Sequence, residues 1–105
     1  MDMATWPPKP QSHFRADTIT HGTALKLFAA RGDRTAYTIQ NAGSYSLCVS
    51  DTEAKALAGT GQVIQGGMTP YGSYANTVSR GDVWVAVIGS AGNTVDCRGD
   101  EIYPE

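Results

Sequence analysis

Basic charge is scarce in this chain: eight Lys and Arg stand against ten Asp and Glu, a formal net charge of −2 over 105 residues. A weak field of that sign draws neither phosphate backbones nor anionic lipid, so nucleic acid and membrane surfaces are poor partners. Long apolar runs are missing too. The longest, Val83 to Ile88, is far too short to span a bilayer as a helix, and the opening MDMATWPPKPQSHF has neither the basic nor the apolar region of a secretory leader. The expectation is a chain that is neither exported by that route nor membrane-spanning. Cysteine is limited to Cys48 and Cys97, too few for a disulfide scaffold and not clustered as a structural zinc site requires. Reduced thiols in a protein made in the cytoplasm are expected.

Signatures of catalysis are equally thin. His13 and His21 are the only histidines, with no second histidine or carboxylate at ligand spacing, and both read as satisfied or exposed surface residues. Asp17 and His21 would need a serine nucleophile, yet no serine sits in a Gly-x-Ser-x-Gly elbow. The glycines join strand to strand rather than loop to helix, so no phosphate cradle is expected. Together these features predict a protein that is not an enzyme and has no cofactor or metal.

What is present is β-prone. Twelve glycines divide short runs rich in Val, Thr, Ser and Tyr, the pattern of a small all-β antiparallel sandwich, jelly-roll or immunoglobulin-like. Eight strands are predicted: Phe14 to Thr20, Thr23 to Ala29, Arg34 to Gln40, Tyr45 to Ser50, Gln62 to Gln65, Ser73 to Ser79, Asp82 to Ile88 and Thr94 to Arg98. Period-two alternation assigns Leu25 and Leu27, and Tyr45, Leu47 and Val49, to the core face. The run VWVAVI is apolar on both faces, so it reads as a central, doubly covered strand, or one that meets a partner through Trp84. The segment DTEAKALAG predicts one or two helical turns capped by Asp51 or Thr52 and ended by Gly59. IQGGMTPYGSY reads as a long loop.

Residues 1–13 differ from the sandwich of residues 14–105. Trp6 is followed by Pro7, Pro8 and Pro10, which lack backbone donors and favour extended geometry, so this segment is expected to be an arm. An arm with one large aromatic and no core orders only by packing on its domain or on another chain. Trp6, Pro7, Pro8, Pro10 and Trp84 are therefore the candidate partner-binding residues.

Arg-Gly-Asp occurs three times, at Arg31, Arg80 and Arg98, where chance would supply a given tripeptide about one time in fifty. With an offset of 49, RGDRTAYTIQNAGSYSLCVSD aligns on RGDVWVAVIGSAGNTVDCRGD, matching the turns NAGS and SAGN and the two cysteines. The first two copies thus read as one repeated turn-plus-hairpin, in which Gly-Asp enters a strand and Gly43 or Gly92 takes a left-handed loop position. A receptor-binding Arg-Gly-Asp needs a mobile loop apex, whereas Asp33 and Asp82 lead at once into strands. Cys48 and Cys97 fall on different strand faces, which argues against a bridge. Tyr37, Tyr45, Tyr71, Tyr74, Trp84 and Tyr103 are read first as core and turn residues and second as a sugar-stacking platform.

The run DRTAYTIQNAGSYSLCVSD, followed by GQVIQGG, VWVAVI and a closing strand near an acidic end, resembles the small β-sandwich proteins of tailed-phage virions that decorate capsids or build head fibres. In those an Arg precedes a strand ending in Ile-Gln-Asn-x-Gly, and Arg34, Ile39, Gln40, Asn41 and Gly43 occupy these places. The resemblance spans roughly Leu25 to Glu101. The helical TEAKALA and the tail Ile102 to Glu105 depart from it. It implies a capsid-decoration or cement subunit in the virion, assembled in the host cytoplasm, whose partners are the major capsid protein and copies of itself in a homo-oligomer such as a trimer. The alternative is a receptor- or carbohydrate-binding module of a phage fibre, with Trp84 and Tyr74 as sugar-contacting aromatics.

Overall fold

A computed structural model describes residues 10–66, 73–76, 80–89 and 92–104. In chain order the elements are β1 (Pro10–Thr20), β2 (Leu25–Phe28), β3 (Ala36–Asn41), β4 (Leu47–Ser50), α1 (Glu53–Ala58), β5 (Gln62–Ile64), β6 (Ser73–Asn76), β7 (Val83–Val87) and β8 (Thr94–Pro104). The strands form two four-stranded antiparallel sheets, β1-β8-β3-β6 and β2-β7-β4-β5. Only β4 and β5 are both consecutive and paired; the other five pairs, β1 with β8, β3 with β8, β3 with β6, β2 with β7 and β4 with β7, join more distant segments. That nesting is the double ribbon of an eight-stranded jelly roll, not the sequential hairpins of an immunoglobulin-like sandwich.

The core lies between the sheets and follows from alternation. Tyr37 and Ile39 of β3, Val83, Val85 and Val87 of β7, and Val95 and Cys97 of β8 all point inward and are buried with Leu27, Phe28, Leu47, Val49 and Ile64. β7 is central, flanked by β2 and β4, as its two-sided apolarity predicted. On its outer side Ala86 is buried, while Trp84 is half-buried with the Lys26 ammonium 5.4 Å from its ring centroid. The Thr52 hydroxyl caps α1 by accepting from the Lys55 amide at 3.2 Å, and Gly59 closes it at φ 71°, where a Cβ would be strained. Cys48 also lies on this outer side, buried, with its Sγ accepting from the Gly61 amide at 3.1 Å.

Tyr45, expected on the core face, is 44% exposed in the turn before β4, and three further expectations need correction. Alternation places Leu25 and Leu27 on the core face and Phe28 on the other; Leu27 is buried and the half-buried Leu25 packs against the core, but Phe28 is buried as well. The ladder with β7 shifts register between Lys26 and Phe28, and this bulge turns Phe28 inward. The aligned units containing NAGS and SAGN are not hairpins: β3 and β4 lie in opposite sheets, as do β7 and β8, so each turn crosses the sandwich. Gly92 has φ 88°, but Gly43 is needed for space, since a Cβ there would sit 3.0 Å from Val95 Cγ1. Third, residues 10–13, read as arm, belong to β1, whose register with β8 runs from Pro10 opposite Pro104 to Thr20 opposite Thr94. Proline at the outermost position of each strand suits a ladder end, where no donor is required. No helix among the described residues is long and apolar enough to cross a membrane.

Candidate functional site

Two Arg-Gly-Asp copies meet at one end of the sandwich. The turn 31–33 precedes β3 and the segment 80–82 precedes β7, and the Arg31 amide donates to the Arg80 carbonyl at 2.8 Å. Asp82 Oδ1 accepts from the Ala30 amide at 2.8 Å, and Arg80 Nε donates to the Arg34 carbonyl at 3.2 Å. Arg31 lies flat on Tyr103, 3.4 Å from its ring centroid, and its Nε is 2.8 Å from Asp33 Oδ1 as an ion pair without hydrogen-bond alignment. The guanidinium and carboxylates that a receptor would need are thus engaged within the corner. The third copy is unlike the others: Arg98, Gly99 and Asp100 lie inside β8, and a Cβ on Gly99 would come 2.8 Å from Leu27 Cδ2 and 2.9 Å from Phe28 Cζ. One tripeptide recurs for two reasons, a pair of clasped turns and a close approach between sheets.

Beneath that corner sits a buried polar cluster. Arg34 Nε donates to Glu101 Oε2 at 2.9 Å, and the Arg34 side chain donates further to the carbonyls of Gly81 at 3.0 Å and Ala29 at 2.7 Å. Glu101 Oε1 faces His13 Nδ1 at 3.1 Å, and the His13 ring meets Phe28 edge-on at 6.2 Å. Register explains the gathering: His13, Glu101 and Tyr37 are opposite one another across β1, β8 and β3, on the inner face. Read from sequence, His13 had no carboxylate at ligand spacing; Glu101, 88 positions away, supplies one. The Arg34–Glu101 pair is almost fully buried and therefore costly to form, but costlier to break one side at a time. With both oxygens engaged, Glu101 anchors Arg34 and is not a free general base. Asn41, also buried, donates to the carbonyls of Tyr45 at 2.7 Å and Ile64 at 3.0 Å and accepts from the Gly43 amide at 2.9 Å.

The opposite face of the same strands carries no covering element among the described residues. Outward positions form rows across β1, β8 and β3: Phe14, Asp100 and Thr38 in one, Ala16, Arg98 and Gln40 in the next, then Thr18 with Asp96. Phe14 is 62% exposed, the largest value among the exposed large hydrophobic residues, and no described element lies over it. Asp96 Oδ1 accepts from the Thr18 hydroxyl at 2.9 Å. Asp100 Oδ1 is buried yet has no hydrogen-bond partner, and Arg98 makes no ion pair among the described residues. A shallow depression of about 160 Å³ lies beside Ala16, Thr18, Asp96 and Arg98. The edge of β1 is guarded: Arg15 points inward, donating to the Lys26 and Leu27 carbonyls of β2 at 3.1 and 2.8 Å, with Asp17 beside it at 3.0 Å. Inward charges of this kind discourage edge-to-edge pairing with another strand.

Of the residues singled out for partner binding, Trp6, Pro7 and Pro8 lie outside the described residues. Pro10 begins β1 opposite Pro104, and Trp84 lies in β7 of the other sheet, so the structure does not gather these two into one patch. Trp84 and Tyr74 are likewise split between sheets, in β7 and β6. Cys48 and Cys97 are both free and buried, in different sheets. Burial, with Asp17 adding to it and Arg15 opposing, pushes the Cys97 thiol up to about 12. Among the described residues no group of three or more His, Cys, Asp or Glu side chains is placed to hold a metal ion. No protein-family model matches the sequence, and neither the curated proteins nor the solved structures contain a significant match to it.

Proposed function

We propose that this chain is a non-enzymatic structural protein of a tailed-phage virion, a capsid-decoration or cement subunit that binds the major capsid protein and its own copies. The observation that carries the reading is the strand order. A jelly roll of eight short strands is an architecture much used in viral shells, and here it accompanies the Arg34 and Ile39-Gln40-Asn41-x-Gly43 pattern that resembles such proteins. This support is an analogy of fold and motif. The physical roles of the motif are consistent with it: Arg34 and Asn41 spend their polar groups on closing the two ends of the sandwich, leaving contact with other molecules to its outer surfaces. Many weak contacts of one subunit type on a shell add up through avidity. Assembly in the host cytoplasm suits two unpaired cysteines.

Particles assembled without this chain, then mixed with the purified protein, test the proposal. Saturable uptake to a fixed number of copies per particle is the expected result, and particles that take up none would reject decoration. A variant lacking residues 1–9, which leaves β1 whole, reports on the arm: reduced occupancy is expected, and unchanged occupancy would remove the arm from the mechanism. A carbohydrate-binding fibre module is less well supported, because the aromatics that would build its platform, Trp84 and Tyr74, belong to strands of different sheets.

A further inference from the structure

We infer that the outer face of β1, β8 and β3 is a self-association surface that receives a second copy of this chain across a two-fold axis. The axis lies between the two facing sheets, runs across the strands and is level with Gly99. This operation places the row of Phe14, Asp100 and Thr38 over the partner's row of Ala16, Arg98 and Gln40, and the reverse. Each pairing is complementary. Asp100 and Arg98, neither of which makes an ion pair among the described residues of one copy, each meet the other's counterpart in the partner. Exposed Phe14 settles over the partner's small Ala16, and the Thr38 hydroxyl faces the partner's Gln40 amide. A two-fold contact needs one patch that complements itself, and an acid and a base two positions apart on a central strand supply it. Moving the axis to the level of Cys97 would instead oppose Asp96 to Arg98, but Asp96 already has Thr18, while Phe14 and Asp100 would stay unmatched.

The size of the face sets the strength. Three strands about 4.8 Å apart and about seven residues long present roughly 330 Å² per copy, or roughly 660 Å² in total, below the range of stable complexes. Sheet twist carries the outer rows apart, which limits the contact further. The dimer is therefore weak in solution, with a dissociation constant on the order of 0.1 to 1 mM. Repetition on a shell would amplify it. The competing mode, strand addition at the β1 edge, is opposed by the inward Arg15 and Asp17.

This contact rests on the reading of the chain as a self-assembling subunit, but it is measured on the isolated protein, so its failure is separable from failure to bind particles. Sedimentation equilibrium of the full chain from micromolar to several millimolar is expected to show a monomer–dimer equilibrium. Arg98→Asp and Asp100→Arg each weaken it by at least about tenfold, and the double variant R98D/D100R recovers it to within about threefold, because the reversed charges meet again across the axis. Ala16→Arg, at an exposed position, abolishes it by colliding with the partner's Phe14, whereas Asp96→Asn leaves it unchanged. Circular dichroism of each variant confirms the fold. A monomer at every concentration overturns the inference, as does association indifferent to the single reversals, unrecovered in the double variant, or lost in Asp96→Asn.

Discussion

Consecutive residues of β8 carry two carboxylates in opposite circumstances. Glu101 points inward, is 4% exposed, and has an oxygen for each of Arg34 and His13. Asp100 points outward and leaves Oδ1 without a donor. The inner face of the β1-β8-β3-β6 sheet has closed its polar account at one end of the sandwich, while on the outer face Arg98 and Asp100 make no ion pair among the described residues and Phe14 is exposed. In a β-strand the two faces are separated by a single residue of register, so structural and associative chemistry can alternate along one ribbon. Interior charge here fixes how the loops preceding β3 and β7 sit; exterior charge is available to another molecule.

Breaking the inner side should have the largest effect. Arg34→Ala or Glu101→Gln strands a buried partner and is expected to cost about 3–5 kcal/mol in chemical denaturation. The double variant R34M/E101L should lose less than either single change, since no buried charge remains unpaired. A double variant as unstable as the singles combined would show that the pair is not a unit.

Gly99 tests whether the third Arg-Gly-Asp copy is a matter of packing. Gly99→Ala drives a methyl group against Leu27 and Phe28 and should cost about 1–3 kcal/mol, whereas Gly81→Ala, with nothing within 4 Å of its added Cβ, should change denaturation midpoints very little. Equal effects at the two positions would erase the distinction between clasped turn and buried strand.

Cys97 reports on the dryness of the inner face. Its thiol, raised from an ordinary 9.0 to about 12 chiefly by burial, stays protonated in the fold where the unfolded chain has already lost that proton. The unfolded state thus binds fewer protons above pH 9, and the contribution of Cys97 to stability, full below that pH, declines as pH rises toward 12. The slope is about 1.4 kcal/mol per pH unit. Cys97→Ala should remove that slope, as read from denaturation midpoints between pH 8 and 11. The smallest effect is expected on the outer face: Asp100→Asn should leave stability within about 0.5 kcal/mol, because no native donor is lost.

The positions of all eight strands were legible in the sequence, because period-two patterning and glycine-rich turns are local signals. Strand lengths were less so. The end of β8, Gly99 to Pro104, contains Gly, Asp, Glu and Pro, which carry little β-propensity, and it is held extended by β1 on one side and β3 on the other. NAGS and SAGN show where the chain bends but not which sheet receives it, so a crossing turn reads like a hairpin. The Arg34–Glu101–His13 cluster was invisible at separations of 67 and 88 residues. A partial signal existed: continuing the inward parity of Val95, Cys97 and Gly99 reaches Glu101, and an acid on a core face requires a cation. The outer face carries little sequence signal, because Arg98, Asp100 and Phe14 become neighbours only through the register of β1 with β8.

Hydroxyl-radical labelling of Phe14, followed by mass spectrometry as the protein is brought from micromolar to millimolar concentration, tests most directly whether the outer face of the β1-β8-β3-β6 sheet is the associative one. Labelling of Phe14 should fall steeply with concentration while that of Trp84, on the other sheet, stays constant. Constant labelling of Phe14, or a fall confined to Trp84, would contradict the account.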